Sequence, residues 1–421
     1  MSTNPPVDLN YERFRQLRMR LDMSRGKPAP EQLDLSQGLF GAAPDGGYRA
    51  RDGFDCRNYG LASGLPEARE LGAGLLGVPA AQVIAGGNSS LELMHDALAF
   101  ALLHGVPAGD SSEERGLPWR AQGEIAFLCP APGYDRHFAI CEALGVRMIA
   151  VPMREDGPDM DAVEALVRAD ATVKGMWCMP LYSNPTGAIY ADEVVRRLAA
   201  MPAAAPDFRL FWDDAYRFHH LTGERHATLD VIEACAAAGH AERVLMFASL
   251  SKVTFAGAAL AWLAASPRNV AWWQRCAAVR TIGPDKLNQL RHVRFVRDRA
   301  TLEALMARHR ALLAPKFAAV DEVFRARLSA VPQVRWNVPR GDYFISLYAP
   351  PGCARRTVEL AGEAGLVLTP AGAAFPYGVD PEDSHLRIAP SFPALEEVRL
   401  AAEGIAVSLL RALEERAMNA E

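Results

Sequence analysis

Short apolar runs alternate with amphipathic segments through the middle of the chain. The continuous apolar runs predict buried strands at 124–130, 146–152, 173–180, 208–214 and 243–250. Between them, apolar residues recur at helical spacing in the segments 134–144, 159–169 and 191–201. Fully apolar strands separated by helices are typical of a parallel sheet that is covered on both faces. The pattern therefore predicts an α/β fold with a mostly parallel sheet and helices on both faces.

The two ends of the chain show different patterns. The spacing predicts a helix over residues 10–25 and an Ala/Leu-rich helix over residues 66–77. From about residue 310, a long helix is followed by shorter strands, such as 343–349, and by a last helix at 394–416. We interpret this region as a smaller α+β domain. The predicted division is an N-terminal arm and part of the small domain at 1–58, a large α/β domain at 59–305 and a small C-terminal domain at 306–421.

Composition narrows the class of protein. Half of the 421 residues are hydrophobic, 23% are charged and the formal net charge is −5, which favours a folded chain over a disordered one. Basic residues are scattered, so we expect no nucleic-acid partner. The N-terminus is polar and no apolar run reaches the length of a membrane span, so we expect no signal peptide and no membrane partner. We interpret the seven cysteines, an odd number without a CxxC pair, as buried thiols of a cytoplasmic protein.

Polar residues follow four of the predicted apolar runs and a shorter apolar run at 83–85. They are Gly87-Asn88-Ser89, Tyr134, Asn184, Asp213 with Tyr216, and Ser249-Leu250-Ser251-Lys252. Each has an ordinary structural explanation, such as a helix N-cap, core packing, a strand-end turn or a surface lysine. Ligands of open α/β sheets bind beyond the carboxyl ends of the strands. The shared position of these residues at one rim therefore favours a ligand site over five separate structural roles.

The residue types at this rim suit one kind of chemistry. Lys252 ends an apolar strand and precedes an apolar segment, and a partly desolvated lysine is the nucleophile that forms Schiff bases. Asp213 could pair with a pyridinium nitrogen, and Tyr134 could stack on a flat ring. The helix start after Gly87 offers backbone N–H groups, which bind phosphate well.

Taken in order, these segments resemble the fold-type I pyridoxal-phosphate enzymes of aminotransferase class I/II, from about residue 35 to residue 392. The matching segments are YGLASGLPEAR (59–69), VIAGGNSSL, PAPGYD, YSNPTGAIY, WDDAY, SLSK and HLRIAPSF. NPTG alone is a weak match. Its combination with Asp213, 29 residues after Asn184, and with Lys252, 39 residues after Asp213, is specific.

The resemblance implies a pyridoxal 5'-phosphate cofactor held as a Schiff base on Lys252, which would also move the α-proton of the substrate. Asp213 would pair with the pyridine nitrogen, and Tyr134 would stack on the ring. Tyr216 and Asn184 would hydrogen-bond the phenolic oxygen of the cofactor. Asp213 and Tyr216 are thus the predicted catalytic partners of Lys252.

The resemblance also implies groups for the phosphate and for the substrate. The phosphate would be held by Gly87, Asn88, Ser89 and Ser249, and Ser251 would also bind the cofactor. Arg387 would clamp the substrate α-carboxylate, Gly38 would lie in the loop that closes over the substrate, and Asn184 would also bind the substrate. Tyr59 would reach the phosphate of the neighbouring subunit, which implies a homodimer with shared active sites.

The segment after the lysine departs from the pattern of many relatives. VTFAGAALAW (253–262) has no basic residue where many relatives place an arginine near the phosphate, and Thr254 is a candidate hydroxyl donor there. The chain is in this respect similar to a divergent subgroup labelled aspartate aminotransferase type Ic or MocR-like. We expect no winged-helix DNA-binding domain, since too few residues precede residue 35 to form one.

The resemblance implies amino transfer between an L-amino acid, aspartate or glutamate, and a 2-oxo acid. A substrate side-chain carboxylate would need a second cation, and the candidates are Arg25, Lys27, Arg136 and Arg280. A lyase or a decarboxylase could keep the same residues, because the cofactor supplies the chemistry and the pocket selects the bond. A regulatory or binding protein on this fold, without catalysis, is a further alternative.

Three other motifs have structural explanations. Gly72-x-Gly74-x-x-Gly77 follows a helical pattern instead of a strand, so we interpret it as the glycines of a helix end. The Ser-x-x-Lys pattern at Ser249 lacks the Lys-Thr-Gly of acyl-serine enzymes. His219 and His220 are adjacent and no acidic cluster accompanies them, so we expect no metal.

Overall fold

The computed structural model describes residues 9–43, 47–108 and 116–419. The first eight residues, for which no signal peptide was expected, lie outside this range. Within it, no helix is both long enough and apolar enough to cross a membrane. The cysteines are buried and free of disulfide bonds.

The strands form one large sheet and two small ones. They are β1 (Leu21–Asp22), β2 (Val83–Ala85), β3 (Ala126–Ala131), β4 (Arg147–Arg154), β5 (Gly157–Pro158), β6 (Val173–Cys178), β7 (Arg209–Asp213), β8 (Val244–Ser249), β9 (Ala261–Ala265), β10 (Arg335–Trp336), β11 (Ile345–Tyr348), β12 (Leu366–Val367) and β13 (His385–Ile388).

The helices cover the large sheet and build most of the smaller region. They are α1 (Tyr11–Gln16), α2 (Pro30–Asp34), α3 (Pro66–Leu76), α4 (Ser90–His104), α5 (Asp135–Leu144), α6 (Met160–Ala169), α7 (Asp192–Ala200), α8 (Val231–Ala237), α9 (Pro267–Ala277), α10 (Lys286–Val296), α11 (Arg299–Leu328), α12 (Ala354–Glu363) and α13 (Leu395–Met418). Short 3₁₀ turns lie at Gln37–Leu39, Ala80–Gln82, Trp119–Gln122 and Pro376–Gly378.

The large sheet confirms the predicted α/β fold. Its strand order is β2-β9-β8-β7-β6-β3-β4-β5, and the central strands β4, β3, β6, β7 and β8 pair in parallel. Strands β3, β6 and β7 are buried along their whole length, because helices cover both faces of the sheet. Separate apolar cores lie on the two sides, around Trp212 on one and Phe211 on the other. The carboxyl ends of β7 and β8 bring Asp213 and Ser249 to the same rim.

Strand β9 was not anticipated. After Lys252 the chain turns back, and Ala261–Ala265 runs antiparallel to both β8 and β2. The strand is a fully buried apolar run, and such a run does not reveal its direction in a sheet. The reversal keeps the Lys252 loop short and anchored at both of its ends.

The predicted helix over residues 10–25 is wrong in its second half. Helix α1 ends at Gln16, and Arg18 has a positive φ of 50° that turns the chain. Leu21 and Asp22 then pair in parallel with β12. Leu21 and Met23 are buried while Asp22 is exposed, which is the two-residue alternation of a strand. This alternation was visible in the sequence but is too short to outweigh the helical spacing before it.

The smaller region combines the N-terminal segment with the last third of the chain. Strands β10, β11 and β13 form an antiparallel sheet, and α11 packs along α13. Phe14 and Met23 belong to the same apolar core as these elements. The predicted domain limits, including the boundary at residue 305 that falls inside α11, stay a prediction.

Of the three glycines in the motif, Gly77 ends α3 with a φ of 82°, as interpreted from the sequence, whereas Gly72 and Gly74 lie inside the helix.

Candidate active site

The site is centred on Lys252, in the loop that follows β8. Its amine lies 4.7 Å from the centre of the Tyr216 ring. Burial lowers the pKa of the Lys252 amine, and the nearby carboxyls of Asp213 and Asp342 oppose this shift. A buried lysine with a lowered pKa is the nucleophile that the sequence predicted at this position.

Asp213, at the end of β7, is 3% exposed and is held by a residue that sequence reasoning missed. His137 Nε2 lies 3.0 Å from Asp213 Oδ2, and the His137 ring stacks on Trp177 at 4.3 Å between centroids. Asp213 Oδ1 is buried and has no partner among the described residues. A carboxylate with one oxygen fixed and one free suits the pyridinium nitrogen of the predicted cofactor. His137 follows Tyr134, the N-cap of α5, by three residues, and this helical spacing is the sequence feature that could have identified it.

The remaining residues that are predicted to bind the cofactor ring lie around the same space. Asn184 is 1% exposed, and its side-chain oxygen has no partner among the residues that the structure describes. Tyr134 ends the loop before α5 and contacts His137 edge to face, at 4.9 Å between ring centroids. Burial raises the pKa of the Tyr216 phenol and of the Tyr134 phenol, so both remain hydrogen-bond donors at neutral pH.

The predicted phosphate-binding residues meet at the N-terminus of α4. Ser89 is the N-cap of this helix, and its hydroxyl accepts a hydrogen bond from Glu92 N at 3.4 Å. The hydroxyls of Ser249 and Ser251 lie 2.9 Å apart, and Ser251 Oγ donates to Asn88 O at 3.3 Å. Ser90, which was not predicted, adds a hydroxyl 3.5 Å from that of Ser249. Hydroxyls and helical N–H groups together form a suitable phosphate cup.

Thr254 does not add to this cup. Its buried hydroxyl donates to Leu250 O at 3.2 Å and lies 3.0 Å from His292 Nε2. The side chain therefore stabilises the turn after Lys252 and leaves no free donor for a phosphate. The prediction of a hydroxyl donor at this position is wrong.

Arg387, in β13, is buried and paired with Asp135 at 2.7 Å. Its Nε atom is buried without a partner among the described residues, and its guanidinium lies 5.0 Å from the Phe344 ring. A planar guanidinium with an unused N–H group suits bidentate binding of a carboxylate.

Gly38 and Tyr59 are exposed and do not belong to the buried cluster around Lys252. A Cβ atom added at Gly38 would come within 2.9 Å of the Phe295 ring, so this turn packs closely on α10. The neighbouring Ser36 hydroxyl donates to Val253 O at 3.3 Å, which joins the turn to the Lys252 loop. Tyr59 is 76% exposed and faces away from the core of its own chain.

A buried hydrogen-bond network fixes the main chain around Lys252. The Tyr343 hydroxyl donates to Lys252 O at 3.3 Å, and His309 Nε2 lies 2.9 Å from Val253 O. Gln32 joins the two, because its Nε2 lies 2.9 Å from Tyr343 Oη and 3.1 Å from His309 Nδ1. Sequence reasoning missed this network, since its members come from three distant segments.

The fold and the site together define a fold-type I pyridoxal-phosphate-dependent aminotransferase. The family model described as Aspartate amino-transferase matches residues 3–421, so the chain belongs to that family. A Mycolicibacterium smegmatis protein named as an aminotransferase is 53% identical over 96% of this chain and 94% of its own length. The Corynebacterium glutamicum protein named aspartate aminotransferase is 45% identical over 98% of this chain and 94% of its own length.

Solved structures agree with this assignment. The structure of an aspartate transaminase from Corynebacterium glutamicum has a TM-score of 0.92 and 45% sequence identity, and covers 96% of this chain and 94% of its own chain. The α-aminoadipate aminotransferase LysN from Thermus thermophilus, solved with N-(5'-phosphopyridoxyl)-L-leucine, has a TM-score of 0.76 at 21% identity, covering 97% of this chain and 96% of its own. The latter shows the shared fold. The cofactor of this enzyme family is pyridoxal 5'-phosphate.

Proposed function

We propose that the chain moves an amino group between aspartate or glutamate and a 2-oxo acid, with the cofactor attached to Lys252. One observation carries the proposal: beyond the ends of the parallel strands β7 and β8, the half-buried Lys252 has an amine whose pKa is affected by Asp213, and one buried oxygen of Asp213 has no partner among the described residues. The cofactor, when bound, serves as the electron sink for bond cleavage at the substrate α-carbon. Lys252 then holds and returns the α-proton.

The choice of an acidic amino acid rests on the cations near Tyr134. Arg136, which is exposed, and Arg387, which is buried, both oppose the upward shift in the pKa of the Tyr134 phenol, so both positive charges act on this ring. Arg280 is instead paired with Glu92 and Asp96, and the Lys27 amine lies 3.8 Å from the centre of the Phe392 ring. We therefore assign the α-carboxylate to Arg387 and the side-chain carboxylate to Arg136. The name of the Corynebacterium glutamicum relative supports the same substrate.

A half-reaction screen tests the function. The cofactor-loaded enzyme is mixed with one amino acid at a time, and visible absorbance, oxo acid and ammonia are measured. We expect aspartate and glutamate to convert the cofactor fully to its pyridoxamine form. Each conversion should release one equivalent of oxo acid and no ammonia. Release of ammonia with unchanged cofactor would instead identify a lyase, and release of carbon dioxide a decarboxylase.

Arg136→Gln tests the assignment of the side-chain carboxylate. Loss of a charge-assisted hydrogen bond is expected to raise the half-saturating concentration of aspartate by about 10- to 100-fold, while that of alanine stays within twofold. Arg25→Gln, at an exposed arginine, is the control and leaves both values unchanged. An effect of Arg25→Gln in place of Arg136→Gln would move the assignment to Arg25.

We also propose a homodimer in which Tyr59 of each subunit binds the cofactor phosphate of the other. Val279 is 87% exposed, Ile282 is 62% exposed, and Gly283 next to them packs against Gly60. Tyr59 therefore belongs to an exposed apolar patch beside the phosphate cup. A patch of this kind is typical of a protein–protein interface.

Light scattering tests the dimer. We expect twice the chain mass of 45.7 kDa. We expect the double variant Val279→Asp/Ile282→Asp to be monomeric. It should bind the cofactor at least about tenfold more weakly, because each site loses the hydrogen bond from the partner's tyrosine to its phosphate. Met418→Asp, at an exposed apolar residue of α13, is the matched control and stays dimeric. A monomeric variant with unchanged cofactor affinity would disprove the shared site.

The cytoplasmic location stays a prediction.

A further inference from the structure

Asp342 is a third carboxyl in the active site, and no motif of the sequence marks it. It lies in the loop between β10 and β11 and is fully buried. Its φ is +80°, a conformation that residues other than glycine adopt uncommonly. An aspartate placed there costs conformational strain, and such strain is concentrated at functional sites.

The surrounding structure fixes this conformation. Asp342 N donates to His219 O at 3.2 Å, and Leu221 N donates to Arg340 O at 2.8 Å. The ring of Tyr182 covers Gly341 so closely that an added Cβ atom would lie 2.3 Å from it. The loop therefore has little freedom to turn the carboxyl elsewhere.

The carboxyl faces the reactive groups of the site. Its Oδ1 accepts a hydrogen bond from Tyr343 N, and its Oδ2 is buried without a complete hydrogen bond among the described residues. Burial raises the pKa of Asp342 to about 8, opposed by the Tyr343 amide, Lys252, Tyr216 and Arg387. A buried carboxyl oxygen without a hydrogen-bond partner lowers the stability of the fold, so we infer that this oxygen has a functional role.

The carboxyls of Asp213 and Asp342 both act on the Lys252 amine. Asp213 is held by His137, and its other oxygen is the proposed partner of the cofactor ring. When the cofactor is bound, Asp342 is therefore the carboxyl that remains available to interact with the Lys252 nitrogen. Its neighbour Tyr343 holds the main-chain carbonyl of the same lysine, so two consecutive residues contact Lys252 from one loop.

We propose that Asp342 is a positioning residue for amino transfer, which orients the Tyr216 phenol and the Lys252 amine through its buried carboxyl. The proposal rests on the proposed function of Lys252. The Asp342 carboxyl contributes to the raised pKa of the Tyr216 phenol, so the two groups lie close enough for the phenol to be oriented towards the unpaired Oδ2. Above its pKa of about 8, the ionised carboxyl also favours a positive charge on the lysine nitrogen.

Asp342→Asn tests the proposal, because asparagine keeps the shape of the side chain and tolerates a positive φ. The visible absorbance of the cofactor-loaded enzyme is titrated with pH. The Asp342 carboxylate forms mainly above its pKa of about 8, where it favours the protonated lysine nitrogen. This charge is absent from the variant, so we expect the spectral midpoint to fall, by about one pH unit where it lies at or above pH 8. We expect kcat to fall about tenfold, with KM for the amino acid within twofold, since Asp342 acts on Lys252 and not on the substrate.

The groups that face Asp342 also titrate or carry charge, so they could contribute to the spectral midpoint. They are Lys252, Tyr216, Arg387 and His219, and burial lowers the pKa of His219 well below its usual value, so this ring stays neutral over the pH range used. Asp383→Asn is the matched control, because Asp383 also has a positive φ, of 47°, but binds the amide of Arg355 at the start of α12. We expect its midpoint to equal that of the unmodified enzyme.

Asp342→Gly gives a second variant that removes the carboxyl and relieves the strained φ, so it keeps the proposal testable if the asparagine variant misfolds. A folded variant at Asp342 with an unchanged midpoint and unchanged kcat would overturn the proposal and leave Asp342 as a turn residue. If the unmodified enzyme binds pyridoxal phosphate without attachment to Lys252, the proposed function is overturned instead. The two failures are therefore distinguishable.

Discussion

Lys252→Ala is expected to lower the rate of amino transfer by about 10⁴-fold or more, because the variant loses both the attachment point of the cofactor and the general acid–base group. The loss is measured as single-turnover conversion of the loaded enzyme by aspartate. Borohydride reduction followed by peptide mass spectrometry should place the cofactor on Lys252 in the normal protein and on no residue in the variant.

The fold of the variant is checked by its thermal unfolding, since removal of a partly desolvated amine is not expected to destabilise the sheet. A small primary amine added to Lys252→Ala should restore part of the activity, because it can occupy the vacated space and carry the proton. Cofactor trapped on one of the other lysines in the normal protein, such as Lys286, would contradict the assignment of Lys252.

Asp213→Asn is expected to lower the rate by about 10³-fold, because it removes the charge that stabilises the protonated ring nitrogen while it keeps the size of the side chain. The rate is measured in the half-reaction with aspartate, together with the affinity for the cofactor. We expect the affinity to change much less than the rate, because the phosphate cup and Lys252 are unaltered.

Asp214→Asn is the matched control for this variant. Asp214 is adjacent and equally buried, but its carboxylate is paired with Arg217 at 2.5 Å, so it is not available to the cofactor. We expect the rate to stay within about tenfold of normal at temperatures where the variant is folded. Equal losses in the two variants would mean that Asp213 acts only through the general charge of the region.

The parallel strands could be predicted because each is a continuous apolar run that ends in polar residues. The same ends located Asp213, Asn184 and Lys252. Strand β9 could not be oriented from sequence, since burial on both faces removes the alternation that would distinguish it. Asp342 and His309 enter the site by folding of the smaller region onto the sheet, and no local pattern records such contacts.

The ion pair between Arg387 and Asp135 leaves one edge of the guanidinium open for the proposed substrate carboxylate. Asp135 occupies Nη1 of Arg387, while Nε has no partner among the described residues, so an incoming carboxylate would meet a cation that is already partly neutralised. The desolvation of Arg387 was thus completed during folding, and in the proposed role a ligand carboxylate would bind beside Asp135 with bidentate geometry. An amine that lacks a carboxylate could not use this free edge, so the resting protein would already discriminate against it.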